Sequence, residues 1–235
     1  QNSYPGLTNK MLSKKVKYIF TAYDKINNFF NTNTVFNFGN PIRNLKIKSN
    51  ENAHKYFGLD SSKKTILVLG GSLGAKNINE GVLNNISLIR ESSYQVIWQT
   101  GKFYYKNILS KNIKDKKIII KDFINRMDLA YSVSDIIISR AGAIAISELC
   151  VISKPLILVP SPNVVDDHQT KNAKAISEEG GCVLIKDSDA KNTMLKTAFD
   201  LFENKSKMDS MKKSLSKLSS PNATQKIVNK IYEII

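Results

Sequence analysis

The chain has 235 residues, of which 42% are hydrophobic and 23% charged, and its formal net charge is +15. These values are typical of a soluble globular protein of one or two domains. No apolar run approaches the roughly 18 residues of a membrane-spanning helix, and residues 1–5 do not resemble the start of a secretory signal. Because no initiator methionine is present, we expect that the chain begins inside a longer protein.

The two cysteines, Cys150 and Cys182, both lie inside apolar segments. Two buried thiols in a chain of this length indicate a reducing compartment, with neither a disulfide framework nor a metal site.

The strong positive charge leaves three interpretations open. Nucleic-acid binding requires basic and aromatic residues on one surface, whereas attraction to an anionic membrane requires lysines beside exposed apolar groups. The third interpretation is that lysines are scattered over solvated faces. We favour this one because net charge concerns association rather than fold; membrane attraction ranks second, and we expect no nucleic-acid partner.

The first part of the chain predicts a helix and a junction. Apolar residues at helical spacing, with lysines between them, predict an amphipathic helix over residues 6–20. Residues 31–37 form a polar segment, and the Gly/Pro turn at residues 38–43 is typical of a domain junction. A short helix over residues 49–57 ends near Gly58, and we assign no chemistry to His54.

Residues 44–219 alternate strand and helix six times. The predicted strands are residues 65–69, 95–98, 116–120, 135–139, 156–159 and 182–185. Helical patterns follow at residues 76–90, from 104, at 127–134, from 142 or 143, and at 167–179, 190–203 and 205–218, and Pro221 can open a last helix. This alternation predicts an α/β fold, with a Rossmann-like parallel six-stranded sheet, helices on both faces and ligands at the carboxyl ends of the strands.

The turn at residues 140–143 joins a β-branched strand directly to a helix. Its small residues let the backbone approach a ligand, and the free N–H groups of the first helical turn carry the positive end of the helix dipole. Such a site binds anions, of which phosphate is the usual one. Glu148, farther along the helix, cannot help a phosphate but can accept hydrogen bonds from paired hydroxyls, as acidic residues do with ribose.

A second unit of strand, glycine turn and helix has its turn at residues 70–75. It is no P-loop, because no Gly-Lys-Ser/Thr closes it, and Ser72 stands where the dinucleotide fingerprint has its second glycine. A tight turn for helix packing is the alternative. Asp187 and Asp189 form a D-x-D pattern that holds a metal in some enzymes, but their place between a strand and a helix favours helix capping.

Short motifs occur in one order along nearly the whole chain: Gln1-Asn2 with residues 6–10, residues 39–43, residues 70–75, Phe123-Ile124, residues 140–143 with Ser147-Glu148, and residues 167–169 with Asn172-Ala173. Together they resemble the MurG family of bacterial glycosyltransferases. The resemblance implies the C-terminal half of a GT-B glycosyltransferase. Its reaction would be inverting transfer of N-acetylglucosamine (GlcNAc) from UDP-GlcNAc to a lipid-linked muramyl-pentapeptide, which converts lipid I to lipid II in peptidoglycan synthesis.

The resemblance also implies three parts of the chain. Residues 1–43 would be the tail of the acceptor domain and the interdomain junction, residues 44–219 the donor domain, and residues 220–235 a C-terminal helix that packs back toward the acceptor domain. The rest of the acceptor domain would precede Gln1. We therefore identify no catalytic residue, and we expect this chain by itself to bind donor without transferring sugar.

The family's donor-binding positions fall on Asn2, Arg43, Ser72, Ile124, Ala143, Ile144, Ala145, Ile146, Ser147, Glu148, His168 and Gln169. By this resemblance, Ser72 and residues 143–145 would meet the diphosphate, with helix N-termini in place of a metal or other cofactor. The Ile124 backbone would meet uracil, and Glu148 would meet the ribose hydroxyls.

Two further pairs complete the implied site. His168 and Gln169 would touch the sugar, and Asn2 and Arg43 would close the site from the junction side. The chain departs from many family members at Ala145, where they carry threonine, and at His168, where some carry glutamine. His168 can still donate to a sugar hydroxyl, and an ordinary loop histidine is the alternative.

The implied partners are UDP-GlcNAc, an undecaprenyl-linked muramyl-pentapeptide acceptor and an anionic cytoplasmic membrane surface. The implied location is cytoplasmic, peripheral on the inner face of the cell membrane. Two alternatives stay open. A GT-B-fold UDP-GlcNAc epimerase or hydrolase would need carboxylate or histidine acid–base groups in the cleft, and a basic non-enzymatic module would bind nucleic acid with steep salt dependence.

Overall fold

The computed structural model describes residues 1–30, 34–44 and 51–235, which form two parallel sheets and their covering helices. The strands are β1 (Ile19–Thr21), β2 (Val35–Asn37), β3 (Thr65–Leu69), β4 (Gln95–Gln99), β5 (Ile118–Lys121), β6 (Ile136–Ser139), β7 (Leu156–Leu158) and β8 (Val183–Leu184). The α-helices are α1 (Leu7–Leu12), α2 (Glu51–Phe57), α3 (Lys76–Leu83), α4 (Ile86–Glu91), α5 (Lys102–Leu109), α6 (Met127–Val133), α7 (Ala143–Ile152), α8 (His168–Glu178), α9 (Ala190–Glu203), α10 (Lys205–Leu218) and α11 (Ala223–Ile234). Short 3-10 helices cover Asp24–Phe29 and Val165–Asp167.

The large sheet has the strand order β5-β4-β3-β6-β7-β8, and all its neighbouring strands are parallel. Its first strand in the chain, β3, lies beside its fourth, β6, with Leu69 opposite Ser139. The chain therefore builds outward from β3 on one side and from β6 on the other. At such a switch point a crevice opens at the carboxyl ends of the two central strands, and ligands of open α/β sheets bind there. The predicted six-stranded α/β fold is confirmed.

Helices cover both faces of this sheet because each strand alternates its side chains between two cores. Ile66 and Val68 of β3 pack with buried residues of α3 and α9, whereas Leu67 and Leu69 pack with buried residues of α6, α7 and α8. Burying one such side chain completely stabilises the fold by about 1.5–3 kcal/mol. The sheet is therefore a firm base for the crevice at its edge.

The predicted helix over residues 6–20 is wrong in its second half. α1 covers only the first part of this range, and Ile19–Thr21 forms β1, which pairs in parallel with β2. Phe20 lies against Phe36 and Phe38, with ring centroids 6.2 and 5.7 Å away. Local spacing could not reveal this, because strand formation depends on a partner strand and on packing more than on local preference.

The predicted helix over residues 76–90 is divided into α3 and α4. The break lies at Asn85, whose side-chain amide donates to the carbonyl of Gly81 at 2.8 Å. Asparagine competes in this way with the helical backbone. The helix predicted at residues 49–57 is found from Glu51 and ends before Gly58, which has a φ of +68°. Its first two residues, and residues 31–33 of the predicted polar segment, lie outside the described residues.

The C-terminal helix α11 packs against the segment that precedes the large sheet. The Thr224 hydroxyl donates to the carbonyl of Ile42 at 3.3 Å, and the Lys230 ammonium lies 4.8 Å from the ring centroid of Phe36. Ala223, at the start of the helix, is buried. α11 is thus attached to residues that precede the large sheet in the chain.

Candidate functional site

Two helix N-termini begin at the crevice, beside the carboxyl ends of β3 and β6. α3 has Ala75 at its N-cap and α7 has Gly142, and neither cap residue forms a side-chain hydrogen bond to its helix. The first N–H groups of each helix have no partner inside the helix and carry the positive end of its dipole. A Cβ added to Gly142 would meet no atom within 4 Å, so the space in front of α7 is open. This arrangement suits phosphate.

The glycine turn before α3 packs closely on the loop after β4. Gly74 has a φ of +94°, and a Cβ there would lie 2.2 Å from the carbonyl oxygen of Thr100. Gly71 differs, because a Cβ on it would meet nothing within 4 Å. The tight-packing interpretation therefore accounts for Gly74, whereas the part of the turn that holds Gly71 and the exposed Ser72 faces open space.

Gln99 joins this turn to the loop after β5. Its amide donates to the carbonyl of Gly71 at 3.1 Å and accepts from the N–H of Ile124 at 3.0 Å. The Ile124 side chain is buried and its N–H is bonded to Gln99, so its carbonyl is the group left to bind a ligand such as a nucleobase. Gln99 is not among the residues that the sequence predicts, although a polar residue that ends an apolar strand is a usable signal.

Glu148 is 8% exposed and is paired with Arg43 of the junction segment, which we define as residues 1–43. Arg43 makes a two-pronged ion pair with it, with Nε 2.8 Å from Oε1 and Nη2 2.9 Å from Oε2. The Tyr131 hydroxyl donates to Oε2 at 3.4 Å, and burial together with the nearby Glu148 charge raises the pKa of Tyr131. The carboxylate is thus fixed in place by donors from Arg43 and Tyr131.

The first turns of α7 offer small and half-buried groups to the crevice. Ala143 and Ala145 are half-buried and Ile144 is exposed, whereas Ile146 is 1% exposed and lies in the core. Ile146 can therefore offer a ligand only its backbone. With alanine at position 145, an anion at this helix would be held by backbone N–H groups rather than by a hydroxyl.

Gln169 and His168 begin α8 and hold the loops around the crevice. The Gln169 side-chain oxygen accepts from the N–H groups of Ala141, at 3.2 Å, and Ser161, at 2.9 Å. His168 Nδ1 donates to the carbonyl of Val165 at 2.7 Å. Among the described residues, these bonds leave the Gln169 amide nitrogen as a donor and His168 Nε2 as an acceptor, because Nδ1 carries the proton of the neutral imidazole. The expectation that His168 donates is therefore wrong for this ring orientation.

The N-terminal segment docks on α7 and α8 through Asn172, which is fully buried. Asn172 accepts from the N–H of Ser3 at 2.8 Å and donates to the side chain of Asn2 at 2.9 Å. Asn40 adds a second link, because its amide donates to the Ser147 hydroxyl at 2.9 Å. Two predicted site residues, Asn2 and Ser147, thus join the junction segment to the helices that form the crevice.

The two aspartates of the D-x-D pattern, Asp187 and Asp189, have hydrogen-bond partners within the chain. Asp187 forms an ion pair with Arg140 and accepts from the amide of Asn77 at 2.6 Å. Asp189 occupies the N-cap position of α9, as predicted, but its carboxylate accepts from the Ser188 hydroxyl at 2.9 Å and makes no side-chain bond to the helix. Among the described residues, no group of three or more His, Cys, Asp and Glu could hold a metal ion.

Both cysteines are free and buried. Burial raises the pKa of Cys150 and of Cys182 to about 12. Since the thiolate is the nucleophile and the metal ligand, neither residue is suited to chemistry at neutral pH.

A comparison with protein families identifies relatives of this chain. Residues 65–227 match the family described as the glycosyltransferase family 28 C-terminal domain, from the start of β3 into α11. The chain belongs to this family. Of the predicted site residues, Asn2 and Arg43 alone lie outside the matched family 28 region.

Individual relatives agree with membership of family 28. The chain is 44% identical, over 238 residues, to the UDP-N-acetylglucosamine--N-acetylmuramyl-(pentapeptide) pyrophosphoryl-undecaprenol N-acetylglucosamine transferase of Cytophaga hutchinsonii, with 100% of this chain and 64% of that protein covered. A crystal structure of Acinetobacter baumannii MurG is similar, with a TM-score of 0.75, 28% identity, and 99% of this chain and 65% of that chain covered. The chain thus spans about two-thirds of the length of these relatives, 64% of the first.

The family 28 chain also shares its fold with an epimerase. The similarity to a crystal structure of UDP-GlcNAc 2-epimerase from Neisseria meningitidis bound to UDP-GlcNAc has a TM-score of 0.66 at 14% identity, over 96% of this chain and 64% of that one. At this identity the likeness concerns the fold alone, because one fold hosts many functions.

Proposed function

We propose that this chain holds the sugar nucleotide in an enzyme that transfers GlcNAc from UDP-GlcNAc to a lipid-linked muramyl-pentapeptide, converting lipid I to lipid II in peptidoglycan synthesis. The observation that carries the proposal is the pair of uncapped helix N-termini at the switch point between β3 and β6, with the Glu148 carboxylate on the second helix. The 44% identity with the Cytophaga hutchinsonii transferase, whose name states both substrates, supports the choice of substrates.

The diphosphate lies against the first turn of α7 and the turn before α3. The N–H groups of Ala143, Ile144 and Ala145 and the exposed Ser72 are the donors in this arrangement. Inverting transfer leaves UDP with more negative charge on its outer phosphate than the donor had. Fixed helix N-termini stabilise that developing charge, so the proposal requires neither a metal ion nor another cofactor.

The nucleoside lies between Glu148 and Ile124. Glu148 accepts hydrogen bonds from the two ribose hydroxyls, and the Ile124 carbonyl accepts one from the base. Arg43, released from Glu148, pairs with the diphosphate, for which a guanidinium is well suited. Ligand binding thus replaces the Arg43–Glu148 ion pair with two new interactions.

The sugar lies toward the start of α8. The Gln169 amide nitrogen donates to a sugar hydroxyl, and His168 Nε2 accepts from one because Nδ1 carries the ring proton. Asn2 is linked to α8 through Asn172. We assign no catalytic base among the described residues.

The experiment that tests this function is calorimetry of the purified chain with UDP-GlcNAc in the presence of a chelator. We expect binding without any divalent metal, because the helix N-termini supply the positive charge. Binding that appears only when magnesium or manganese is added would contradict the helix-dipole account. If the chain bound no UDP-GlcNAc with or without metal, the assignment of UDP-GlcNAc as the donor would be wrong.

An undecaprenyl-linked acceptor implies work at the cytoplasmic membrane surface, and the enzyme is proposed to lie there as a peripheral protein. Among the described residues, no helix is long and apolar enough to cross a membrane. α1 is suited to surface contact, because Leu7 is 72% exposed and Met11 is 64% exposed, and Lys10 and Lys14 lie close to them in the chain. Lysines beside exposed apolar groups favour anionic lipid.

A further inference from the structure

Gln99 is a buried amide at the carboxyl end of β4, with 3% of its surface exposed. β4 lies between β3 and β5, and Gln99 is opposite Leu69 on one side and Lys121 on the other. The turn after β3 and the loop after β5 are therefore separated by one strand and share no ladder hydrogen bonds. Gln99 connects them, since it bonds both Gly71 and Ile124.

An amide is chemically suited to this connection because it donates at one end and accepts at the other. The carbonyl of Gly71 needs a donor and the N–H of Ile124 needs an acceptor, and Gln99 satisfies both. If Gln99 were apolar, the buried N–H of Ile124 would lose its acceptor and the carbonyl of Gly71 would lose its donor, so the link between the two loops would be gone.

The bond to Ile124 also has a consequence for base recognition. With its N–H engaged by Gln99 and its side chain buried, Ile124 is held on two sides, and its carbonyl is a fixed acceptor. Uracil has a donor at N3, whereas cytosine has an acceptor there. A fixed carbonyl therefore accepts from uracil and repels cytosine, and sites built around one hydrogen bond discriminate strongly against ligands that lack it.

We propose that Gln99 is a positioning residue that holds the base-binding loop in register with the diphosphate-binding turn and so sets a preference for uracil over cytosine. This inference rests on the proposed function, since it assigns a role to a residue that need not touch the ligand. The relevant ratio is the affinity for UDP divided by the affinity for CDP.

The test compares Gln99→Met with Gln95→Met, a matched control on the same strand. Gln95 is also a buried amide, 1% exposed, and bonds to Asp60 and Thr65 at the opposite end of β4. Calorimetry with UDP and CDP should show that Gln99→Met lowers both the UDP affinity and the UDP-to-CDP ratio by about tenfold, the scale of one lost hydrogen bond. Gln95→Met should leave both within about twofold of the unchanged chain.

A second variant separates the two bonds and serves if Gln99→Met does not fold. Gln99→Glu keeps an acceptor for the N–H of Ile124 in either protonation state, so the UDP-to-CDP ratio should persist even if UDP affinity falls. Equal effects of Gln99→Met and Gln95→Met, or a lost ratio in Gln99→Glu, would overturn the proposal. Failure of the unchanged chain to bind UDP would instead overturn the proposed function.

Discussion

At the scale of the residue, Glu148 changes its partner in the proposed complex. Its carboxylate binds Arg43 in a two-pronged pair, and in the proposed complex it binds ribose hydroxyls. The Arg43 side chain is 52% exposed, so the pair is close to solvent and contributes about 0–1 kcal/mol. Hydrogen bonds between hydroxyls and a buried carboxylate contribute about 1.5–3 kcal/mol, so the exchange favours the nucleotide.

Glu148→Ala is therefore expected to weaken UDP binding by about 0.5–3 kcal/mol, which is the hydroxyl contribution less the ion pair that the unchanged chain must break. This loss corresponds to about a 2- to 150-fold lower affinity in calorimetry.

Glu178→Ala is the control, because it removes the same charge from an exposed ion pair with Lys25 that also joins residues 1–43 to α8. UDP affinity should not change in this variant. If Glu148→Ala folded normally and bound UDP like the control, Glu148 would not be part of the site.

At the scale of the element, the glycine turn before α3 combines two different requirements. Gly74 must lack a side chain so that the turn can cross the backbone at Thr100, whereas Gly71 needs only its positive φ of +84°. The same turn therefore contains a packing point at Gly74 and an open stretch at Gly71.

Gly71→Ala and Gly74→Ala should consequently differ in stability. An alanine with positive φ costs about 1–2 kcal/mol, and we expect this loss alone for Gly71→Ala. Gly74→Ala should lose a further ~1–3 kcal/mol, because its Cβ would overlap the Thr100 carbonyl. Urea unfolding measures both values. Equal losses in the two variants would show that close packing at Gly74 is not what the turn requires.

Regular elements were predictable from the sequence where a pattern lies within one segment. The apolar runs of β3 and β6 are buried on both faces, and their strands were found within a residue of the predicted bounds. β1 was missed because its identity as a strand depends on pairing with β2. Ends and breaks such as Asn85 depend on single side-chain bonds that periodicity does not contain.

The candidate site was predictable in its position and not in its bonds. The strand, turn and helix pattern predicts a helix that begins after β6 and carries Glu148, and α7 is that helix. The anion site at its start and the acceptor role of Glu148 stay predictions. Which residue holds Glu148, and that Gln99 spans two loops, follow from strand register and from the docking of the junction segment. Both contacts join residues that are far apart in the sequence, so local sequence patterns do not contain them.

At the scale of the whole molecule, the sheet and the junction segment act as one scaffold for the crevice. Asn172 and Asn40 attach the N-terminal segment to α7 and α8, and Thr224 attaches α11 to the same segment. The backbone N–H groups that would meet the donor are therefore held by several distant parts of the chain.

The most direct test of where the donor binds is an amide chemical-shift map of the chain with UDP-GlcNAc and a chelator. The largest changes should occur at residues 70–75, at Ile124 and at residues 143–146. Changes confined instead to the neighbouring cavity of about 590 Å³, with Thr170 and Lys186 in its lining, would contradict binding at the switch point.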